Sequence, residues 1–387
     1  MKTKHFLLMI FLFLMGSQVI SSQSEKSHLP VIDISKSYPK KEIRLQDITD
    51  SEYIPLETTD DVLLGNRLAL SYVSDKYILI HEPIRGNIFI FNRDGTIYSH
   101  FNHKGQSGQE YAWIGDAGVI FDEKNEEIFV CNQSIQVYTL KGEYKRTLKI
   151  NTVDSDSKVF NIDDEALLVY DDVIIEPGLE DKTMKDPYRL VSKKDGSLIS
   201  VLNIHFPKRY STRIAKIEKN SWGGLFLFYT QSMYYGQDLM IADVSSDTLY
   251  QLTPNRKLIP LLTRKPSVHV SEEPRKVWAT FLTTDKFIII GTILLDFNSV
   301  GGKIPFFMYE FETGEVTRVS FFDAEYGTKY WEPGNSPAIA KNKIASLIQP
   351  SSIIDAYEKK RLNGNVDKFI KTLSEDDNPV VRILKFK

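Results

Sequence analysis

The chain has 387 residues, of which 42% are hydrophobic, 12% aromatic and 26% charged. This mixture is typical of a folded protein and excludes a disordered or collagen-like chain. The formal net charge is −3 and no cluster of Lys and Arg stands out, so we expect no nucleic-acid partner. At this length the chain forms either several compact domains or one large β-architecture.

The first 22 residues have the pattern of a secretory signal peptide. Lys2 and Lys4 precede an apolar run over residues 6–15, and small or polar residues follow it. A membrane-spanning helix needs about 20 apolar residues, so this run is short for an anchor. We expect cleavage near residues 21–23 and a mature domain over residues 23–387 without a membrane span. An uncleaved N-terminal anchor is the alternative.

Cysteine content bears on the compartment. The only cysteine is Cys131, inside the apolar run EIFVC, so no internal disulfide can form. The expected cleavage point also lacks the cysteine that a lipid anchor would need. We interpret Cys131 as a small buried hydrophobe. An exported chain without disulfides fits the periplasm or the cell surface of a Gram-negative bacterium.

The middle of the chain repeats a unit of short strands. Six apolar runs begin 39 to 61 residues apart, and their sequences are KYILI, EIFVC, ALLVY, LFLFY, KFIII and KIASL, starting at residues 76, 127, 166, 225, 286 and 343. A strand–turn–strand pattern follows each of the first five runs, and glycines supply turn residues in four of them. These glycines are Gly95, Gly142, Gly196 and Gly314.

A further strand precedes several of these runs, at residues 68–73, 118–122, 214–218 and 277–282. Each unit is therefore predicted to contain four antiparallel strands. Six such units predict an all-β, six-bladed β-propeller. A pair of β-sandwiches with chance similarity is the alternative.

The last unit is split between the two ends of the chain. It has strands at residues 338–340 and 343–347 and a terminal strand at 378–387, but no fourth strand follows. Strands at residues 42–45 and 53–56 can complete it. We therefore predict that N- and C-terminal strands pair and close the ring, which leaves no free sheet edge at the junction.

A short helical insert is predicted in the last blade, at about residues 351–378. Ser352 and Asp355 form a capping-box-like start, and Gly364 suits the end of the first helix. A second helix would place four apolar residues on one face; they are Val366, Phe369, Ile370 and Leu373. We expect both helices to pack on the propeller, with a partner-binding role as the alternative.

The repeat resembles a known family. From residue 101 the chain reads FNHKGQSGQEYAWIGDAGVIFDEKNEEIFVC, which is similar to an NHL-type propeller repeat with its Gly-rich loop. The segments SEYIPLETTDDVLLG and EDDNPVVRILKFK resemble the ends of a family of secreted bacterial six-bladed β-propeller proteins. The resemblance implies the propeller fold and an exported location. That family is largely uncharacterised, so the resemblance implies no reaction.

Loop lengths predict which side of the disc binds a ligand. The loops between the second and third strands of the blades are often long, and insertions on one face of a repeat usually mark the working face. Candidate ligand-binding residues on this face are His81, Arg85, Glu110, Tyr111, Trp113, Asp116, Tyr234, Tyr235 and Trp331. The aromatic residues can stack on sugar rings or anchor a protein partner, or else wedge between blades.

No linear motif for catalysis, phosphate binding or a cofactor is present, and we expect no cofactor. His100 and His103 could begin a metal site, but no third ligand is near in sequence, so we predict no metal site. We therefore expect a monomeric, exported, non-catalytic propeller that binds a glycan or a protein at the bacterial cell envelope. The alternative is a hydrolase or lyase, possibly metal-dependent, with its active site in the central channel.

Overall fold

The structure is a computed structural model. It describes residues 29–115, 118–132, 134–150, 157–171, 186–210, 213–218, 221–227, 232–296, 303–328, 338–362 and 364–387. Three strands and a single helical turn come first in the chain: β1 (Val31–Asp33), β2 (Lys40–Arg44), α1 (Leu45–Ile48) and β3 (Thr49–Pro55). Each of these three strands joins a sheet that is formed mainly by strands from much later in the chain.

Blades I to III each have four antiparallel strands that follow one another in the sheet in chain order. Blade I contains β4 (Ala69–Val73), β5 (Tyr77–His81), β6 (Ile88–Asn92) and β7 (Ile97–Phe101). Blade II contains β8 (Val119–Asp122), β9 (Glu127–Cys131), β10 (Ile135–Thr139) and β11 (Tyr144–Leu148). Blade III contains β12 (Lys158–Asn161), β13 (Ala166–Tyr170), β14 (Tyr188–Ser192) and β15 (Leu198–Val201).

The prediction for blade IV was wrong in its strand assignment. The strands β16 (Arg213–Glu218) and β17 (Ser221–Leu227) pair with each other in a separate two-stranded sheet. The blade itself consists of β18 (Ser232–Tyr235), β19 (Asp238–Ile241), β20 (Thr248–Leu252) and β21 (Leu258–Lys265). The run LFLFY has the same apolar, aromatic character as a buried strand, so the sequence pattern alone could not tell the two hairpins apart.

Blades V and VI complete the ring. Blade V contains β22 (Lys276–Thr283), β23 (Phe287–Leu294), β24 (Phe306–Glu310) and β25 (Val316–Phe322). Blade VI contains β26 (Ala338–Ala340), β27 (Lys343–Ile348) and β28 (Val380–Phe386), and β3 is its fourth strand. The pairing of β28 with β3 runs from Val380 opposite Pro55 to Phe386 opposite Thr49. The six-bladed propeller closed by N- and C-terminal strands is therefore confirmed.

Two blades carry a fifth, outer strand that was not predicted. β1 adds parallel to β21 on blade IV, and β2 adds parallel to β25 on blade V. The expected strand at residues 42–45 thus belongs to blade V and not to the closing blade. Ile32 and Ile43 are buried against blades IV and V, respectively, which explains why these short segments stay on the rim.

A buried ionic cluster supports the closing blade. Arg382 on β28 donates to the carboxylates of Asp323 and Glu325, which follow the last strand of blade V. The distance from Arg382 Nη1 to Asp323 Oδ2 is 2.5 Å. The Tyr53 hydroxyl on β3 donates to Glu325 at 2.7 Å. Because these groups come from two strands of blade VI and from the segment that follows blade V, the cluster ties the closing blade to its neighbour.

The helical insert in blade VI is confirmed only for its first half. Helix α2 (Pro350–Glu358) begins at Pro350, a residue favoured at the first helical position. The predicted capping box at Ser352 is not present, because the residue before the helix is Gln349 and no side chain caps the helix. The second segment is a 3₁₀ turn, Val366–Lys368, and not an α-helix. Asn365 exchanges hydrogen bonds with the backbone of Tyr53, so tertiary contacts fix this segment. Val366 and Ile370 pack against the blade.

Candidate functional site

A central cavity of about 1410 Å³ runs between the inner strands of the six blades. Residues of β4, β8, β12, β18, β22 and β26 all line it. We call the side of the disc that carries the loops between the second and third strands of each blade the loop face, and the opposite side the turn face. The cavity exceeds the roughly 300–1,000 Å³ of a typical small-molecule pocket, so it has room for an oligomeric ligand.

His81 and Ser71 form a polar pair in the cavity wall near the loop face. Ser71 Oγ lies 2.7 Å from His81 Nδ1, and both residues line the cavity. Ser71 is the extra residue of a β-bulge, because the register of β4 against β5 shifts between Leu70 and Tyr72. Bulges re-aim side chains beside functional sites. His81 was predicted from the sequence but Ser71 was not, since a bulge leaves no mark in the alternation of residues.

The electrostatic state of His81 follows from its burial. The side chain is 5% exposed, and burial lowers the pKa of His81 to about 4. Nε2 has no hydrogen-bond partner among the described residues, and the ring passes close to Gly118, another wall residue. A neutral imidazole with one free nitrogen can accept or donate a hydrogen bond to a ligand, but it is a weak base at neutral pH.

Two further polar atoms in the wall have no partner among the described residues. They are Asn161 Oδ1 on β12 and Thr280 Oγ1 on β22. Thr280 is 4% exposed. Buried polar groups nearly always have a hydrogen-bond partner, so these two atoms leave hydrogen-bonding capacity unused beside the cavity. Both atoms are buried from solvent in this structure. The sequence offered no signal for either residue.

Exposed apolar side chains flank the cavity on the loop face. Pro83 and Ile114 line the cavity, and the residue beside each in the chain points to solvent. Ile84 is 56% exposed and Trp113 is 41% exposed. The carbonyl of Trp113 accepts a hydrogen bond from Asn132 Nδ2 at 3.0 Å, which fixes the backbone of the crossover. Trp113 does not itself line the cavity, but it directly precedes Ile114, which does, so it lies beside the mouth on this face.

Arg85 lies on the same loop as His81 but outside the cavity wall. Its side chain is 67% exposed and its Nη1 lies 3.6 Å from Glu82 Oε1. Glu82 is buried and accepts a hydrogen bond from the Gly65 backbone at 2.8 Å. The loop is thus held by Glu82, while the Arg85 guanidinium remains open to solvent beside the mouth.

Glu110 and Tyr111 shape a loop and do not line the cavity. Glu110 accepts a hydrogen bond from the Ser107 backbone at 2.8 Å, and this bond lowers the pKa of Glu110. Tyr111 is 1% exposed and its hydroxyl donates to the Gly86 carbonyl at 2.7 Å. Tyr111 therefore wedges between blades I and II, one of the two outcomes that the sequence left open.

Tyr234 and Tyr235 lie on β18 and not on a loop, contrary to the sequence analysis. Tyr234 lines the cavity, and its hydroxyl donates to the Asn161 carbonyl at 3.2 Å. Tyr235 is 7% exposed, packs between blades IV and V and donates to Asp285. Tyr234 thus remains a wall residue, whereas Tyr235 faces a neighbouring blade.

Two candidates, Asp116 and Trp331, lie outside the described residues. The histidines His100 and His103 make contacts within the protein instead of forming a pair: His100 stacks on Phe89, and His103 Nε2 lies 2.7 Å from the Gly142 carbonyl. Within the described ranges no group of three His, Cys, Asp or Glu side chains could hold a metal ion.

The turn-face end of the cavity is surrounded by polar pairs between blades. Lys76 of blade I pairs with Glu126 of blade II at 3.4 Å, and Lys124 of blade II pairs with Asp164 of blade III. Three more pairs continue this arrangement: Asp163 with Arg256, Asp285 with Asn342, and Asp122 with Lys193. Four of these five pairs join opposite charges, whereas Asp285 bonds the neutral amide of Asn342. The loop-face end differs, because it has the free Nε2 of His81 and exposed apolar side chains.

One solved structure shows the same fold, and two further ones have a lower similarity. A protein of Bacteroides fragilis NCTC 9343, described as a candidate exported protein, is 12% identical with a TM-score of 0.59, covering 92% of this chain and 99% of its own. A protein of unknown function from Bacteroides thetaiotaomicron VPI-5482 has 11% identity and a TM-score of 0.39, covering 88% and 76%. Virginiamycin B lyase from Staphylococcus aureus has 12% identity and a TM-score of 0.37, covering 87% and 100%.

The last two likenesses have TM-scores below 0.5 and carry no weight for function. No curated protein sequence matches the chain. Among the described residues, no helix has the length and apolar character to cross a membrane. A family model matches residues 29–385, which is nearly the whole chain and includes β3 and all but the last residue of β28. The chain therefore belongs to the DUF4934 family, a domain of unknown function.

Proposed function

We propose that this protein is a non-catalytic propeller that binds a glycan in its central cavity, through the loop face, at the bacterial cell envelope. The observation that carries the proposal is the combination at the cavity mouth of an exposed indole, Trp113, with the neutral His81 in the wall. Aromatic faces pack on sugar rings, and neutral hydrogen-bonding groups match hydroxyls without demanding charge.

The cavity supports an uncharged, hydroxyl-rich ligand. Ser71, Asn161 and Thr280 present neutral polar groups in its wall, and two of them have unsatisfied atoms. Three ion pairs between blades lie instead at the turn-face end: Lys76 with Glu126, Lys124 with Asp164, and Asp163 with Arg256. A charged ligand would have to compete with these pairs for their charges, whereas hydroxyls would find partners of either polarity in the wall.

A protein partner on the loop face is the second reading of the same surface. Exposed large apolar side chains gather there, namely Leu63, Ile84, Trp113, Val270 and Tyr357. On the turn face, Phe311 is the one such side chain among the described residues. The cavity favours the glycan, because a flat protein interface would leave the His81 Nε2 atom in the wall without a partner.

The test is a glycan array with the wild-type protein and two matched variants. We expect Trp113→Ala to weaken binding of any positive glycan by about tenfold or more, since it removes an aromatic stacking surface. Phe311→Ala is the control, because Phe311 has a similar exposure of 38% but lies on the turn face. If no glycan binds, or if the two variants bind alike, the proposal is wrong.

A hydrolase is the alternative function, and the Ser71–His81 contact of 2.7 Å is the observation that favours it. A serine activated by histidine is the usual nucleophile of acyl transfer. The low pKa of His81, about 4, argues against it, because a general base works best with a pKa near the operating pH. Turnover of chromogenic ester or glycoside substrates that disappears in Ser71→Ala would establish the enzyme.

We also propose that the chain is exported after cleavage near residues 21–23. The N-terminal pattern of two lysines, an apolar run and small residues supports this, and the similar B. fragilis protein is described as a candidate for export. N-terminal sequencing of protein from the periplasmic and surface fractions tests the proposal. Protein that keeps Met1, or that stays in the cytoplasm, would contradict it.

A further inference from the structure

The outer edges of five blades are covered or guarded. β1 and β2 cover blades IV and V. The outer strand of blade VI, β3, carries Asp50 and Glu52, and that of blade II, β11, carries Lys145 and Arg146. On blade I, the Ile97 amide of β7 donates to the Glu57 carboxylate at 2.7 Å. Covering strands and charged side chains are the usual protection of a sheet edge against pairing with another chain.

The outer edge of blade III has neither form of protection. Among the described residues, β15 pairs only with β14, so its outer side has no strand partner. All four of its residues are exposed. Leu198 is 60%, Ile199 41% and Val201 42% exposed, and the fourth residue is Ser200, so the strand carries no charge. An uncharged, apolar, exposed edge is a place where another strand adds.

We propose that β15 is a self-association surface: two copies of this chain pair β15 with β15 in antiparallel orientation about a two-fold axis. In such an isologous contact, residue i of one copy meets residue j of the other, and j meets i. The strand's side chains then meet apolar side chains of the other copy. Pairing β11 or β3 with itself would instead bring cations against cations or carboxylates against carboxylates, which is destabilising.

The length of the exposed strand determines how strong the proposed dimer is expected to be. Stable complexes bury roughly 1,200–2,000 Å² in total, and a strand of four residues contributes only part of such an area. We therefore expect a weak dimer that forms as the concentration rises. An isologous contact uses the same edge on both copies, so it closes at two copies and does not form filaments. The expectation of a monomer from the sequence then holds only for dilute protein.

Sedimentation velocity of the mature protein over a wide concentration range tests the proposal. We expect the weight-average sedimentation coefficient of the wild type to rise from that of a monomer towards that of a dimer. Ile199→Lys places a charge on the edge of each copy, so it should stay monomeric at every concentration. Leu198→Lys is a second variant with the same expectation, and both sites are exposed, so the melting temperature should be unchanged.

Val31→Lys is the matched control. Val31 is an apolar rim residue on β1 with 52% exposure. Its replacement by lysine introduces the same charge at the rim of a different blade, so the Val31→Lys variant should associate as the wild type does. A wild type that remains monomeric at all concentrations overturns the proposal, as does a dimer that persists in both lysine variants of β15, or one that Val31→Lys abolishes equally.

Discussion

At the scale of single residues, His81 in the cavity wall makes the stability of the folded protein depend on pH. Its pKa is about 4 in the folded protein, against an ordinary value of 6.5, because burial disfavours the imidazolium. The unfolded chain therefore binds a proton at a higher pH than the folded chain does. Above pH 6.5 His81 is neutral in both states, so its lowered pKa does not affect the free energy of unfolding. As the pH falls from 6.5 towards 4, the unfolded chain is protonated first and the free energy of unfolding decreases progressively.

The prediction compares the wild type with His81→Asn, which cannot be protonated in this range. Between pH 7 and pH 4 the free energy of unfolding of the wild type should fall by roughly 3 kcal/mol more than that of the variant. Denaturant titrations at a series of pH values measure this difference. His205→Asn, at an exposed site, should follow the wild type; equal pH dependence of wild type and His81→Asn would refute the idea.

Gly95 shows how one turn residue is dictated by backbone geometry. It has φ +91° in the hairpin between β6 and β7, and a Cβ there would lie 2.0 Å from the Pro55 carbonyl oxygen. Gly95→Ala should therefore lower the free energy of unfolding by about 1–3 kcal/mol or more. Gly108→Ala is the control, since a Cβ at Gly108 meets nothing within 4 Å. Urea denaturation of both variants measures the contrast.

Single residues also show what the sequence could and could not predict about the site. The turn glycines were predicted, and Gly95, Gly142, Gly196 and Gly314 all have positive φ, because a tight hairpin demands that conformation. His81 was named from its place at the end of a strand. Ser71 and Thr280 were not, since their roles depend on a bulge and on burial without a partner, and neither is encoded in spacing.

At the scale of elements, strand β28 carries a charge into the core. Arg382 is 2% exposed and donates to two carboxylates, Asp323 and Glu325. Replacing Arg382 by Met would leave both carboxylates buried without a cation. Breaking a buried ion pair in this way usually costs about 3–5 kcal/mol. We expect a loss of this size in the free energy of unfolding of Arg382→Met.

Lys385→Met on the same strand provides the comparison. Lys385 pairs with Glu52 at 2.6 Å, but its side chain is 45% exposed. Exposed ion pairs contribute about 0–1 kcal/mol, so this variant should unfold at nearly the wild-type denaturant concentration. Similar losses in the two variants would mean that the buried cluster contributes no more than a surface pair does.

Elements were predicted well where the repeat is regular. The strands of blades I to III and V lie within a few residues of the predicted runs, because alternation and turn glycines agree there. Blade IV was misassigned because β16 and β17 form an extra hairpin with the same apolar character. The parallel strands β1 and β2 were not predicted as additions to blades IV and V, since their partners lie more than 200 residues away in the chain.

At the scale of the whole molecule, ring closure depends on the last strand. β28 lies between β27 and β3 in the sheet of blade VI, so removing residues 380–387 would separate the N-terminal strand from the rest of the blade. Val380, Val381 and Ile383 are 1% exposed or less, and their burial would be lost as well. We expect this deletion to abolish soluble, folded protein.

Expression of the truncated chain with far-ultraviolet circular dichroism and limited proteolysis measures the outcome. Removing Lys387 alone is the control, because this residue is exposed and lies beyond the end of β28; it should leave folding intact. A soluble, protease-resistant chain that ends at residue 379 would contradict the closure derived from the β28–β3 pairing.

The split closing blade also affects the order in which the protein can be made. During synthesis β3 leaves the ribosome long before its neighbour β28. Until β28 has been made, the nascent chain holds an incomplete ring with an open wedge. The native propeller therefore becomes available only once β28 has joined β3, however early the other blades have formed.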